Sequence, residues 1–359
     1  MIIGIPKEKR PFEYRVGLSP AGVEILTNRG HQVHVEHDAG VGAGFKDREY
    51  ESVGARIVYS PEEIFGRADL VLKVARPLLD EIEWLRPGCA IAGLLHLAAS
   101  RRDKVDLLLE KKITSIAYEQ IQLADGSLPL LRPFSQIGGS MSAQVAARLL
   151  QSNKGGKGIL LGGIPGVPPA EVLILGSGSV GTYATQAFLG LGAHVTVLDD
   201  DIGKLQHIAD RFPGIVTMIS TKRNLEKTTA YADVIVGAVL VTGERTPILV
   251  TRDMVRAMKP RSVIIDVSID QGGCVETSRP TSHDHPTFVD EGILHYCVPN
   301  MPGVVARTAT HAFVNAAMKY FLSMAEHGIE KAAALDPALE KGINTHNGEL
   351  VHLTLLEEK

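Results

Sequence analysis

The sequence predicts an α/β fold in which two doubly wound parallel sheets form separate domains with a cleft between them. Two series of short β-branched apolar runs alternate with helical segments, as in parallel sheets covered on both faces. A stretch rich in glycine and proline, residues 153–169, separates the two series and is expected to be a loop near a domain border. The chain has 359 residues, which is too long for one ordinary domain and suits two.

The first series predicts a capped helix and five buried strands. The helix covers Ser19–Gly30, because Ser19 can cap its start, Pro20 suits its first turn and Gly30 can end it. The strands are Ile2–Ile5, Gln32–Glu36, Leu70–Val74, Ala90–Leu95 and Thr114–Tyr118.

The second series predicts four more strands and a long closing helix. The strands are Val172–Leu175, His194–Leu198, Val234–Ala238 and Ser262–Asp266. An alanine-rich run without glycine or proline, Arg307–His327, follows them and predicts the helix. We expect this helix to return to the first domain, which makes that domain discontinuous in sequence.

Composition narrows the class of protein. The net charge is −4 and no Lys/Arg stripe with interleaved aromatic residues is present, so a nucleic-acid partner is not expected. No apolar run approaches the ~18 residues of a membrane span, and the opening residues lack the apolar core of a secretory signal. Cys89, Cys274 and Cys297 are widely spaced, which is typical of reduced thiols in the cytoplasm.

A glycine pattern between a strand and a helix predicts a dinucleotide site of the Rossmann type. Gly176, Gly178 and Gly181 follow the strand Glu171–Leu175 at once, and a helix is expected over Thr182–Leu189. In this motif the first glycine permits a sharp turn, the second lets the backbone approach a pyrophosphate, and the third lets the helix pack on the strand. The helix N-terminus offers free N–H groups to the phosphates.

A carboxylate at the end of the next strand predicts NAD as the cofactor. Asp199, the first of three consecutive aspartates, directly follows the strand His194–Leu198. A carboxylate there accepts hydrogen bonds from the adenine-ribose hydroxyls, and its charge repels the 2′-phosphate of NADP.

Bound NAD implies hydride transfer, which also needs a proton shuttle. His96 ends the strand Ala90–Leu95, where open α/β sheets bind ligands. Arg15 lies before the first helix and can hold a carboxylate with two hydrogen bonds. Asp270 precedes two glycines and can orient water or ammonia. On residue type alone, each has an ordinary alternative: a structural histidine, a surface charge and a turn former.

Two other sequence patterns were weighed as functional signals, and neither indicates a site. The contiguous Ser282–Pro286 stretch contains two histidines and an aspartate but lacks the spacing of a zinc site, so a polar loop is expected and no metal is predicted. The sequence contains no G-x-S-x-G pattern, so a serine hydrolase is not indicated.

At this point the sequence resembles the alanine dehydrogenase family, NAD-dependent enzymes that interconvert L-alanine with pyruvate and ammonia. The resemblance runs from the opening IGIPKE to the segment 341–346. Its motifs are RVGLSP at 15–20, HLAA at 96–99, IAYE at 116–119, GGIPGV at 162–167, DVSIDQGG at 266–273 and NMPG at 300–303.

The resemblance implies roles for particular residues. His96 is implied as the general acid/base, Asp270 as the second catalytic residue, and Arg15 as the ligand of the substrate carboxylate. The active-site cleft would lie between a discontinuous catalytic domain, 1–132 with 307–359, and a NAD-binding Rossmann domain, 133–306. Besides the three glycines, the implied cofactor-binding residues are Ser135, Ser179, Val180, Asp199, Lys204, Ser220, Val239, Leu240, Val267, Ser268, Ile269, Asp270, Arg279, Val298, Pro299, Asn300 and Met301. The family is usually a cytosolic hexamer.

The substrate half departs from the family pattern. The family reads Lys-Val-Lys-Glu-Pro at the end of one strand, and its second lysine contacts the substrate. Here Ala75 stands in place of that lysine and is followed by Arg76. Lys73, on the same face of the strand as Ala75, and Arg76, on the other face, are the candidate replacements, and neither restores the original geometry. Phe134 stands where methionine is usual in the family. The small residues Ala92 and Gly93 lie in a run where the family carries aromatic residues, and they are expected to enlarge or reshape the pocket.

Several functional hypotheses follow. The first is NAD-dependent oxidative deamination of L-alanine to pyruvate and ammonia. The second is a relative that acts on another 2-oxo acid or on a larger secondary imine, as opine-type and saccharopine-type enzymes do. A third is a catalytically silent NAD-binding protein, which the joint presence of His96, Arg15 and Asp270 disfavours. The related transhydrogenase α-subunit serves a membrane partner and normally lacks these substrate residues.

Overall fold

The computed structural model describes residues 1–240 and 245–354, and it divides into two compact units. The first unit comprises Met1–Phe134 with Pro302–Lys359, and the second comprises Ser135–Met301. The boundaries expected from the sequence, at 132/133 and 306/307, lie within a few residues of these. The last five residues of the expected catalytic domain, 355–359, lie outside the described residues. The assignment of substrate and NAD to the two units stays a prediction.

The first unit contains an eight-stranded sheet in the order β15-β14-β6-β5-β4-β1-β2-β3. All neighbours are parallel except β14, which is antiparallel to both β6 and β15. Up to residue 134 the elements are β1 (Ile2–Ile5), α1 (Pro20–Thr27), β2 (Gln32–Glu36), α2 (Asp47–Glu51), β3 (Arg56–Val58), α3 (Pro61–Arg67), β4 (Leu70–Ala75), α4 (Leu79–Trp84), β5 (Ala90–Leu94), α5 (Arg102–Glu110) and β6 (Thr114–Ala117).

The helix α6 (Arg132–Leu149) carries the chain into the second unit, whose seven-stranded sheet has the order β12-β13-β11-β10-β7-β8-β9. Only β12 is antiparallel to its neighbour. The elements are β7 (Glu171–Leu175), α7 (Ser179–Gly190), β8 (His194–Asp199), α8 (Ile202–Arg211), β9 (Val216–Ile219), α9 (Lys222–Tyr231), β10 (Val234–Gly237), α10 (Arg252–Ala257), β11 (Val263–Asp266), β12 (Thr287–Asp290) and β13 (Ile293–Tyr296).

The chain then returns to the first unit. Here lie α11 (Ala306–His327), α12 (Ile329–Leu335), α13 (Pro337–Lys341), β14 (Ile343–His346) and β15 (Glu349–Leu350). The long helix expected over Arg307–His327 is therefore confirmed as α11. Ser19 caps α1 as expected, since its side chain accepts a hydrogen bond from the Gly22 N–H.

Two parallel-dominated sheets with interleaved helices confirm the α/β class, and the buried strands explain why the prediction worked. In β7, Val172 and Ile174 belong to one apolar cluster while Leu173 and Leu175 belong to another. A strand covered on both faces reads as a continuous apolar run rather than as an alternating one. The nine predicted strands are all present, with ends that differ by a residue at most.

The sequence analysis missed β3, β9, β12, β13, β14 and β15. All of these are short or contain polar residues, but β13 is completely buried. In β9 each residue is at least partly exposed, and β15 has only two residues. Within residues 1–240 and 245–354, no helix is long and apolar enough to cross a membrane.

Candidate active site

The glycine loop after β7 has the geometry that a dinucleotide site requires. Gly176 has φ +99°, a conformation that favours glycine, and it forms the turn out of the strand. A Cβ on Gly181 would lie 1.8 Å from the carbonyl oxygen of Gly176, so helix α7 packs directly on the loop only because no side chain intervenes. A Cβ on Gly178 would meet nothing within 4 Å, which leaves its backbone open to a ligand. The three glycines thus have separate roles.

Asp199, at the end of β8, is fixed beside this loop. One carboxylate oxygen accepts hydrogen bonds from the Ser177 N–H at 2.7 Å and the Ser177 hydroxyl at 2.8 Å. The other accepts the Asp201 N–H at 3.0 Å. Burial by itself would raise the pKa of Asp199, but these hydrogen bonds outweigh it and hold the pKa below its usual value. The residue is therefore a carboxylate at neutral pH.

The turn after β11 is organised by a buried aspartate. Asp266 accepts hydrogen bonds from the backbone N–H groups of Ser268, Cys274 and Val275. The Ser268 hydroxyl accepts a hydrogen bond from the Val239 N–H at 2.9 Å, which ties the ends of β10 and β11 together. Asp270 lies in the short helical turn Val267–Gln271 and is exposed.

The remaining residues expected to bind NAD follow the carboxyl ends of strands or lie on helices of the second unit. Ser220 donates its N–H to the Asp199 carbonyl oxygen. Lys204 is exposed on α8, and the Arg279 guanidinium lies 4.4 Å from the centre of the Phe288 ring. Exposed or partly exposed are Ser135, Ser179, Val180, Val239, Leu240, Val267, Pro299 and Asn300, whereas Ile269, Val298 and Met301 are buried. The cofactor assignment of these residues stays a prediction.

Arg15 is buried and held by two neighbours in the first unit. Its guanidinium donates to the Glu13 carboxylate from Nε at 2.7 Å and from Nη2 at 2.5 Å. Its Cζ lies 4.5 Å from the centre of the Phe134 ring, which itself stacks on Phe313. The methionine-to-phenylalanine departure therefore places an aromatic face against this arginine.

His96 lies directly after β5 in a strained backbone conformation. Its φ of 46° is in the left-handed region, which is uncommon for residues other than glycine. The Glu119 carboxylate accepts the N–H groups of Leu95 at 3.2 Å and His96 at 2.6 Å, and this stabilises the turn. The imidazole is about half exposed, with Nδ1 at 3.8 Å from the same carboxylate. Strain of this kind, about 1–3 kcal/mol, is commonly found at functional sites.

Lys73 does not take the place of the missing lysine. Its Nζ lies 3.1 Å from both Glu8 and Glu81, and all three side chains are almost completely buried. Burial by itself would lower the pKa of Lys73, but the two carboxylates outweigh it and raise the pKa. Burial also raises the pKa of Glu8 against the opposing effect of Lys73. The lysine is committed to these carboxylates, so its expected role as a substrate ligand is not retained.

Ala75 ends β4 next to this ion-pair network. Glu8 accepts the N–H groups of Val74 at 2.7 Å and Ala75 at 3.3 Å, so the strand end is held by the same carboxylate that holds Lys73. Ala75 is 9% exposed, whereas Arg76 is exposed. Ala92 and Gly93 are both buried in β5, and a Cβ on Gly93 would lie 3.2 Å from the Leu95 side chain. That these small residues enlarge the pocket stays a prediction.

The carboxyl ends of β1, β4 and β5 lie side by side in the sheet, and the strand order reverses between the parallel neighbours β1 and β4. This topology brings the loops that carry Arg15, Ala75 and His96 to one edge of the first unit. The sequence analysis missed Glu13 and Glu119, which orient Arg15 and His96. The signal for Glu119 was its position two residues after β6, which is parallel to β5.

One cluster of potential metal ligands occurs in the part of the chain that the structure describes. It consists of His37, Asp38 and Asp47, whose ligand atoms lie within 4.8 Å of one another at an accessible position. The Ser282–Pro286 stretch forms an irregular loop, as expected. The three cysteines are buried and free.

The chain is similar to known proteins over nearly its whole length. The family model "Alanine dehydrogenase/PNT, N-terminal domain" matches residues 4–138, and the corresponding C-terminal domain model matches residues 142–353. Alanine dehydrogenase of Mycolicibacterium smegmatis is 47% identical over 98% of this chain and 95% of its own length. That of Methanococcus maripaludis is also 47% identical, with the same coverage of both chains.

Solved structures agree with the sequence relatives. An L-alanine dehydrogenase superposes with a TM-score of 0.95 at 45% identity, covering 98% of this chain and 97% of its own. A transhydrogenase from Sinorhizobium meliloti superposes with a TM-score of 0.84 at 25% identity, covering 98% and 99%. Because both domain models and full-length relatives match, the chain belongs to the alanine dehydrogenase/PNT family.

Proposed function

We propose that this protein catalyses the NAD-dependent oxidative deamination of L-alanine and its reverse. In the forward direction, L-alanine, NAD⁺ and water give pyruvate, ammonium, NADH and a proton. The observation that carries the proposal is the full-length identity of 47% to alanine dehydrogenases, combined with Arg15, His96 and Asp270 in the family motifs.

The glycine loop fits the cofactor. Open space at Gly178, the turn at Gly176 and the fixed carboxylate of Asp199 are the features that the pyrophosphate and the adenine ribose of NAD require. Asp199 and the loop N–H groups would hold these two parts. When bound, NAD supplies the hydride acceptor at its nicotinamide ring.

The chain's own residues supply binding and proton transfer. Arg15 binds the substrate carboxylate; its pairing with Glu13 fixes the plane of the guanidinium and so the direction of its remaining N–H groups. His96 takes up the proton of the water that adds to the imine carbon and returns it when the carbinolamine loses ammonia. Asp270 orients the water or ammonia.

A second candidate function is favoured by Ala75. Without a lysine at this position, and with Lys73 committed to Glu8 and Glu81, the substrate lacks one cationic contact of the family pattern. Losing a charged partner from a desolvated pair typically costs about 2–5 kcal/mol. The second candidate is therefore the same chemistry on another 2-oxo acid or on a secondary imine.

One assay separates the two candidates. NADH oxidation is followed with ammonium and a panel of 2-oxo acids, and again with amino acids in place of ammonium. Fast turnover of pyruvate with ammonium is the result expected for alanine deamination. Turnover confined to a bulkier oxo acid, or to amino-acid donors, contradicts it in favour of the second candidate. NADH binding without any turnover contradicts both.

We also propose that the protein acts in the cytoplasm as a homo-oligomer, a hexamer by family resemblance. Free, buried cysteines support a reducing compartment. Light scattering coupled to size exclusion tests the assembly, and a mass near that of one 38.6 kDa chain contradicts it.

A further inference from the structure

The guanidinium of Arg15 is in contact with a carboxylate and with an aromatic ring of the first unit. The Glu13 carboxylate accepts hydrogen bonds from its Nε at 2.7 Å and from its Nη2 at 2.5 Å. The centre of the Phe134 ring lies 4.5 Å from its Cζ. All three residues are buried. The attraction between a cation and an aromatic ring is stronger where water is excluded, so the ring restricts the arginine as well as the carboxylate does.

Phe134 is itself fixed by a row of aromatic side chains. Its ring stacks on that of Phe313, with ring centres 5.5 Å apart and planes at 18°. The Phe313 ring in turn lies 5.1 Å from that of Tyr118 and 6.0 Å from that of Phe321, measured between centres. These three rings are buried. Side chains in a close-packed core are held in defined rotamers, so Phe134 presents a fixed surface to Arg15.

A restrained arginine matters here because the strand end offers the substrate no lysine. Ala75 carries no charge, and Lys73 is held by Glu8 and Glu81. Arg15, the implied ligand of the substrate carboxylate, lines a cavity of about 290 Å³ in the first unit. Ordering a long flexible side chain on binding costs free energy, and an arginine that is already ordered avoids this cost.

We propose that Phe134 is a positioning residue for substrate binding, whose ring holds the Arg15 guanidinium ready for the carboxylate of L-alanine. The inference rests on the proposed deamination of L-alanine and adds a residue to that site. Phe134 acts through Arg15, which holds the carboxylate in the bound substrate and in the transition state alike. Loss of the ring should therefore raise KM and leave kcat almost unchanged.

The test compares F134L, which keeps an apolar side chain but removes the ring, with F134Y, which keeps the ring. In steady-state kinetics with L-alanine and NAD⁺, F134L should show an about fivefold higher KM and a kcat within about twofold of wild type. Fivefold corresponds to about 1 kcal/mol, in the range of a cation against an aromatic ring. F134Y should retain the wild-type KM. A KM that is equally raised in both variants, or in neither, overturns the inference.

A second measurement separates positioning from direct contact with the substrate side chain. Calorimetry on the protein loaded with NAD⁺ gives the Kd of pyruvate and of 2-oxobutanoate, which share the carboxylate and differ by one methylene group. Neither oxo acid has a hydrogen at its second carbon, so neither can donate a hydride to NAD⁺. F134L should weaken both by the same factor, because both present the same carboxylate to Arg15. A loss confined to one of them indicates direct contact and overturns the positioning role.

The matched control is F65L, the same substitution at a buried position of the first unit that packs against Trp84. It should lower the melting temperature but leave KM for L-alanine within about twofold of wild type. An equal rise of KM in F65L overturns the inference, since loss of packing alone would then explain F134L. If the wild type deaminates no alanine, the proposed function fails and calorimetry still decides the inference. Pyruvate binding weakened in F134L but not in F134Y supports it, and absence of pyruvate binding overturns it.

Discussion

The carboxyl end of β7 in the second unit and that of β4 in the first unit differ in how completely the sequence predicts their arrangement. At β7, the glycine loop, Ser177 and Asp199 form an arrangement that the sequence motif describes almost completely. At β4, the lysine expected to replace the family's substrate ligand is buried between Glu8 and Glu81, and the next inward position is Ala75.

The difference follows from what each site is made of. The loop at β7 works through backbone conformation, and glycine spacing encodes backbone conformation directly. The site at β4 works through charged side chains, whose availability depends on partners that are distant in sequence. The largest expected effects of substitution therefore differ in kind: loss of stability where charges are buried, and loss of ligand binding where the backbone is open.

The largest effect is expected for K73M. This substitution leaves Glu8 and Glu81 buried without their cation, and breaking a buried pair in this way typically costs about 3–5 kcal/mol. Chemical denaturation measures the change in the free energy of unfolding. The control is K9M, which removes an exposed pair with Asp80 at 3.9 Å and should cost about 1 kcal/mol or less. Equal effects of the two substitutions would mean that the Lys73 network does not stabilise the first unit.

A glycine pair tests the loop at β7. G181A should destabilise the protein by about 3 kcal/mol and abolish NADH binding, because its Cβ would clash with the Gly176 carbonyl oxygen at 1.8 Å. G178A places its methyl group in open space, so the melting temperature should stay unchanged while NADH affinity falls at least tenfold. Fluorescence titration and thermal melts measure the two properties. Wild-type NADH affinity in G178A would contradict the assignment of the loop.

The substitution A75K tests whether the absence of a lysine at position 75 weakens activity with L-alanine. If the missing lysine limits alanine turnover, kcat/KM for L-alanine should rise tenfold or more, about 1.4 kcal/mol. A75M supplies similar length without charge and should not raise it. Steady-state kinetics with alanine decides between them. No gain in A75K, or an equal gain in A75M, would show that the absent positive charge is not the limiting defect.

The smallest effect is expected for D199N, and it depends on pH. The folded protein holds the pKa of Asp199 below the ordinary value of about 3.9, so the stabilisation by the carboxylate is present above that value. It is lost as the pH falls through the lower folded pKa. D199N should therefore destabilise the protein by about 1 kcal/mol at pH 7, and the difference from wild type should shrink towards pH 3. D200N, at an exposed position, serves as the control; a deficit of D199N that does not change with pH would contradict the expectation.

Much of the fold was predictable because buried parallel strands read as short apolar runs. The nine strands predicted from such runs are present, whereas β3, β9 and β15 were missed because they are short and each contains exposed residues. The antiparallel addition of β14 to β6 was also missed, since it joins residues 343–346 to residues 114–117 across more than half of the chain.

By itself, the sequence determined the α/β class, the family, the glycine loop and the absence of a lysine at position 75. These depend on residue identity and local spacing, which a sequence states directly. Only the tertiary structure decided that Lys73 is held by Glu8 and Glu81, and that Glu13 and Phe134 fix Arg15. Charged groups act over a few ångströms whatever their separation along the chain, so their partners appear only once the strands are placed side by side.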